Sequence, residues 1–154
     1  MKISVVDQSP IFSNSSADQA IKDTRELAKY CDSLGLNRFW LAEHHGSSSF
    51  AGCSPEILIP SLASETKSIR IGSGGVMLMH YSPYKVAENF RLLESLFPNR
   101  IDLGLGRAPG SASQGLLQHT AKPWDALGSH WDAPESHWEA LVAMLSWVAS
   151  FCNP

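Results

Sequence analysis

The sequence predicts an α/β fold in which parallel strands alternate with crossover helices. Four short apolar runs, at residues 3–6, 39–42, 69–76 and 101–105, have the length and composition of strands. Their starts recur every 30 to 36 residues, which leaves room for one helix in each interval. Each interval also carries helical periodicity with its own start and stop signals. A strand returned to its neighbour through a helix pairs in parallel, in a right-handed βαβ unit.

The first helix opens at Ser16, which makes a capping box with Gln19 three residues on. Ala20, Ile21, Thr24, Leu27, Ala28, Cys31 and Leu34 trace its apolar face, and Gly35 closes it as the residue after the C-cap. Ser54 and Pro55 open the second helix as N-cap and first turn. Pro60 lies inside that helix, removes a backbone donor, and is expected to kink it or delay its start. The third helix opens at Ser82 and Pro83, turns Val86, Phe90, Leu93 and Phe97 inward, and stops before Pro98.

The chain divides at Gly110. Residues 1–110 hold 11 basic and 11 acidic side chains, whereas residues 111–154 hold one basic residue, four acidic ones and four of the five tryptophans. Trp124, Trp131 and Trp138 recur every seven residues, but Gly128 and Pro134 interrupt any coiled coil. Ser136 and Glu139 then cap a helix whose 140–151 segment carries no charge and needs burial. The expected domains are thus 1–110, an α/β unit, and 111–154, a divergent tail.

Composition excludes several classes. With 12 Lys plus Arg against 15 Asp plus Glu, the net charge of −3 does not suit a nucleic-acid clamp. At 44% hydrophobic and 18% charged, the chain is too apolar for disorder. Three cysteines without a C-x-x-C pair suggest neither a disulfide framework nor a zinc site. The apolar N-terminal run stops at Asp7, and no stretch reaches the roughly 18 residues of a membrane span, so a cytoplasmic protein is expected.

Common motifs fail as well. Gly72-Ser73-Gly74 would need a third glycine where Met77 stands, and Gly104-Leu105-Gly106 meets Pro109 instead, so neither is a dinucleotide loop. No H-E-x-x-H or G-x-S-x-G is present, and metal is not expected. Polar groups gather instead at the C-terminal ends of the predicted strands. These are Asp7-Gln8-Ser9-Pro10, then Glu43-His44-His45, then Gly74-Gly75 with His80-Tyr81, then Arg107. In β/α folds those ends share the face that carries the active site. Taken singly, each has a blander reading: a structural histidine, a strand bulge, a surface ion pair.

These blocks carry a resemblance. Asp7-Gln8-Ser9-Pro10, residues 40–45 (WLAEHH), 72–78 (GSGGVML), 85–90 (KVAENF) and 100–110 (RIDLGLGRAPG) are ordered and spaced as in the bacterial luciferase-like, flavin-dependent monooxygenases. The resemblance covers about residues 1–110. It implies a (β/α)8 TIM barrel that binds reduced FMN at its C-terminal face and uses dioxygen to oxidise a small organic substrate, with a flavin reductase as partner. Related barrels use a deazaflavin instead. Carried over, His44 is the active-site histidine beside the flavin ring, where an imidazole of ordinary pKa near 6.5 can exchange a proton at neutral pH. Gly74 and Gly75 match a non-prolyl cis peptide against the isoalloxazine, and Arg107 matches an arginine that faces the flavin phosphate.

Such a barrel takes about 250 residues. The expectation is therefore a partial barrel of four strands, truncated, whose tail does not supply the missing ones. Its open edges lead to the expectation of either a homodimer or a marginally stable, aggregation-prone monomer. Two classes follow: an FMN-dependent monooxygenase, active or inactive in this form, or a non-catalytic flavin-binding or structural half-barrel fragment.

Overall fold

The computed structural model describes residues 1–106. Its elements are β1 (Ser4–Asp7), α1 (Ala17–Ser33), β2 (Arg38–Leu41), α2 (Pro55–Glu65), β3 (Arg70–Met77), a 3-10 turn (Leu78–His80), α3 (Pro83–Leu96) and β4 (Ile101–Gly106). Every strand lies within one residue of its expected position. The Trp repeat, the apolar 140–151 helix and Arg107 all lie outside the described residues.

The four strands form one parallel sheet in the order β1-β2-β3-β4. That order, with one helix between consecutive strands, is the β/α progression of a barrel and not the crossing order of a doubly wound sheet. The burial pattern agrees. Phe39, Leu41, Ile71 and Ile101 join Ala28, Cys31, Ile59, Leu62, Val86, Phe90 and Leu93 of the three helices in one core, so all helices cover the same face. The opposite face carries Val6, Arg38, Trp40, Arg70, Gly72, Asp102 and Gly104, which alternate with the core residues along each strand.

That inner face has two levels. At the N-terminal end Asp102 Oδ2 accepts from Arg38 Nε at 2.9 Å and from Arg70 Nε at 2.8 Å, and its Oδ1 accepts from Arg70 at 2.7 Å. Burial raises the Asp102 pKa, but hydrogen bonds and charge from the two arginines outweigh it and hold the carboxyl below its usual range. Above this level the indole of Trp40 lies across glycines. A Cβ at Gly72 would come within 2.8 Å of Trp40 Cζ3, and one at Gly74 within 2.9 Å of Trp40 Cβ.

The helix ends follow the sequence signals. Ser16 Oγ accepts from Gln19 N at 3.2 Å, but the Gln19 side chain donates to Asp23 instead of completing the box. At the other end Leu36 N bonds Cys31 O and Gly35 N bonds Asp32 O, a Schellman closure with Gly35 at φ +68°. Pro55 begins α2 with no delay, and the helix carries Pro60 within it, which corrects one of the two alternatives expected for that residue. The donor that Pro60 lacks would have reached the first turn, so a single bond is lost while Ile59 and Leu62 remain fully buried on either side.

Asp32 ties α1 to the turn before β3. Its carboxylate accepts from the backbone of Lys67 at 2.7 Å, Ser68 at 3.0 Å and Ile69 at 2.8 Å, and from the Ser68 hydroxyl at 2.7 Å. Burial opposes ionisation, but these donors win and bring its pKa from 3.8 to about 2. A depressed carboxylate adds stability that is present above the unfolded pKa and lost as pH falls through the folded one. Discounted for partial exposure, the contribution is about 1–2 kcal/mol. Urea titrations are therefore expected to show stability falling by that amount between about pH 4 and pH 2, and Asp32→Asn to remove this component.

Candidate active site

The C-terminal strand ends open together on a cavity of about 270 Å³. Gln8 follows β1, Glu43 and His44 follow β2, Gly74, Gly75 and Met77 belong to β3, and Gly106 ends β4; all seven line it. The structure thus brings His44, Gly74 and Gly75 to one wall system, as the sequence predicts. Arg107 is the next residue after β4.

His44 is fixed from two sides. Its backbone N–H donates to Gly52 O at 2.9 Å, and its ring stacks on Phe50 with centroids 4.2 Å apart and planes 21° from parallel. Phe50 is itself strapped to the loop after β1: it bridges Pro10, while Ile11 N bonds Ser49 O and Ala51 N bonds Ser9 O. His44 Nε2 is buried and has no hydrogen-bond partner among the described residues. Leaving such a nitrogen unsatisfied costs about 1–3 kcal/mol.

The Gly74–Gly75 peptide is cis. The β3–β4 register shifts between Ser73 and Val76, so the bulge reading of this glycine pair is also correct. Neither position has room for a side chain: a Cβ at Gly74 would meet Trp40, and one at Gly75 would lie 2.9 Å from the Gly104 carbonyl. The wall is bare backbone, which a flat group can approach closely.

A buried carboxylate connects the two walls. The Glu43 side chain is 0% exposed. Its Oε1 accepts from the Tyr81 hydroxyl at 2.7 Å and pairs with His45 Nε2 at 2.5 Å, and its Oε2 accepts from Met77 N at 2.8 Å. Burial first, and then the Glu43 hydrogen bond and charge, hold the Tyr81 phenol far above its usual pKa, so it remains a donor. His45 faces away from the Phe50 stack toward this cluster, with the His80 ring 5.5 Å from its own. Sequence reasoning left Glu43 among the strand-end polar residues without a role, and assigned none to Tyr81. The available signal was Glu43 and His45 at i and i+2, which share a face in extended chain.

Residues 1–139 match the family model of the luciferase-like monooxygenases. The chain belongs to that family. Among luciferase-like monooxygenases and their relatives it is 50% identical over 110 residues to N-acetyl-S-alkylcysteine monooxygenase of Bacillus subtilis, covering 71% of this chain and 33% of that protein. It is 59% identical over 110 residues to the uncharacterised protein YwcH of the same organism, covering 71% and 33%. The chain spans about a third of the length of the curated relatives it matches. Among solved structures, apo-MsnO8 superposes with a TM-score of 0.73 at 45% identity, covering 82% of this chain and 40% of that one. The oxygenating constituent of 3,6-diketocamphane monooxygenase from Pseudomonas putida, solved with FMN, gives 0.69 at 23% identity, covering 97% and 38%. The described residues of this luciferase-like chain are therefore four strands of the family's barrel with the three helices between them, and among them no helix is long and apolar enough to cross a membrane.

Proposed function

We propose that the chain binds FMN at this cavity and acts as a flavin-dependent monooxygenase on a small organic substrate, with reduced FMN supplied by a flavin reductase and dioxygen as co-substrate. One observation carries the proposal: His44, whose buried Nε2 has no partner among the described residues, and a side-chain-free backbone wall at Gly74–Gly75 line the same cavity. These residues fit a flat heteroaromatic ring with polar edges. Gly74 and Gly75 would hold the ring, and Arg107 would hold the phosphate through parallel charge-assisted hydrogen bonds. Reduced FMN, when bound, supplies the electrons that activate dioxygen.

The protein's own part is positioning and proton handling. The Phe50 stack keeps the His44 ring in one orientation and covers one of its faces. Its unpartnered Nε2 would accept or return a proton at the reacting centre, a role worth about 10²–10⁴ in rate. We also propose that the working form is a cytoplasmic homodimer.

Flavin fluorescence quenching tests the site, and NADH-driven oxygen consumption with an added flavin reductase tests the activity. Binding without oxygen consumption would leave a flavin-binding, non-catalytic protein. Arg107→Ala is expected to weaken FMN by about tenfold to a hundredfold, the loss of a hydrogen bond to an ion, and to leave riboflavin unaffected. Equal loss for both ligands would mean that Arg107 supports the fold instead.

A further inference from the structure

Outside the groups that the proposed reaction uses directly, the most heavily committed polar side chain near the cavity is Glu43. A carboxylate with no exposure is costly to bury, and it is retained only where its lone pairs are met by good donors. Here each donor comes from a different piece of the site. His45 follows β2, Met77 ends β3 two residues after Gly75, and Tyr81 follows the 3-10 turn.

The chemistry of the cluster is constrained. A carboxylate offers only acceptors. Tyr81 OH and Met77 N–H are donors, so the proton between Glu43 Oε1 and His45 Nε2 belongs to the imidazole when Glu43 is ionised, and His45 is held as its Nε2–H form. The Tyr81 hydroxyl also lies 3.3 Å from His45 Nε2, and two protonated groups converge on one oxygen. His80, Glu56 and Cys53 are the further ionisable groups of this cluster, the first beside the His45 ring and the other two acting on Tyr81 through their charge.

We infer that Glu43 is a positioning residue: through one carboxylate it fixes the tautomer of His45 and the backbone of β3 just past Gly74–Gly75, so that the ring-contacting wall of the cavity is held in place from β2. It acts through its neighbours and does not replace His44. The flavin consequence rests on the function proposed above, whereas the tautomer and backbone consequences belong to the free protein.

The isosteric Glu43→Gln and the milder Tyr81→Phe test it, with imidazole nitrogen shifts of His45, exchange of the Met77 amide proton, and affinity for FMN and riboflavin as readouts. In Glu43→Gln, His45 is expected to move to a mixture of tautomers and the Met77 amide to exchange faster. FMN and riboflavin affinity should fall together, roughly tenfold for one lost charge-assisted hydrogen bond, because the ring end is disturbed and the phosphate end is not. Tyr81→Phe should leave the His45 tautomer as it is. An unchanged tautomer and unchanged Met77 exchange in Glu43→Gln would overturn the inference, as would riboflavin affinity equal to that of the parent in a parent that binds it. Should the parent bind no flavin, the proposed function fails, and the tautomer and exchange measurements still decide the role of Glu43.

Discussion

Gly104→Ala is expected to destabilise the fold by about 3 kcal/mol or more, because the new methyl group would meet unyielding backbone. A Cβ at this position would sit 2.3 Å from the Ser73 carbonyl oxygen, well inside van der Waals contact. Ser73 cannot move aside: it is fully buried, and its hydroxyl bonds both the carbonyl and the N–H of Gly104, at 2.9 and 3.1 Å. Relief would need the β3–β4 ladder to part. Gly35→Ala makes the control, since nothing lies within 4 Å there and only the positive φ of +68° opposes it. That conformational cost is about 1 kcal/mol. Urea denaturation of both variants measures the difference, and a Gly104→Ala protein within 1 kcal/mol of its parent would show that the strands are less tightly coupled than the distances imply.

The second large effect concerns chemistry. His44→Ala is expected to leave flavin affinity nearly intact while slowing substrate oxidation by roughly 100-fold or more, the range for a lost general acid or base. The split is expected because His44 contributes one side chain to the cavity lining, while the adjoining wall is Gly74–Gly75 backbone, which the mutation does not touch. Steady-state rates at saturating flavin, set beside quenching titrations, separate the two terms. A drop in affinity as large as the drop in rate would recast His44 as a binding residue. His45→Ala should matter less for the chemical step, since that ring turns toward Glu43 and away from the Phe50 stack.

The strands and helix ends were legible because their signals are local. Ser16, Gly35, Pro55, Pro83 and Pro98 act within one turn of themselves, and the apolar runs 39–42 and 69–76 mark strands without knowledge of a partner. His44 and the glycine pair could be named from the resemblance, and their convergence from the rule that β/α strand ends share a face. What escaped depends on contacts across the chain. Glu43 meets Met77 and Tyr81 over 34 and 38 residues, and Arg38 meets Asp102 over 64, so each requires the register before the pair can be seen. The role of Phe50 was hidden for a related reason. Its stack on His44 exists because the two loops pair through Pro10 and Phe50, and loop-to-loop pairing leaves no periodic trace. Pro60 misled in one respect: a local rule allowed a delayed helix start, whereas α2 begins at Pro55 with Ile59 and Leu62 buried beside the proline.

Asp102 has a geometric consequence of its own. It stands on β4, yet one of its two arginine partners stands on β2, with β3 between them. Strands two apart are separated by roughly 9.5 Å in a flat sheet, and a curl toward the inner face brings their side chains closer on that side. The Arg38–Asp102 pair, at 2.9 Å, is thus a chord drawn across an arc. Flattening the sheet would stretch it and leave Asp102 to Arg70 alone, so the charges of the four described strands favour a bend toward the inner face at the end remote from the cavity.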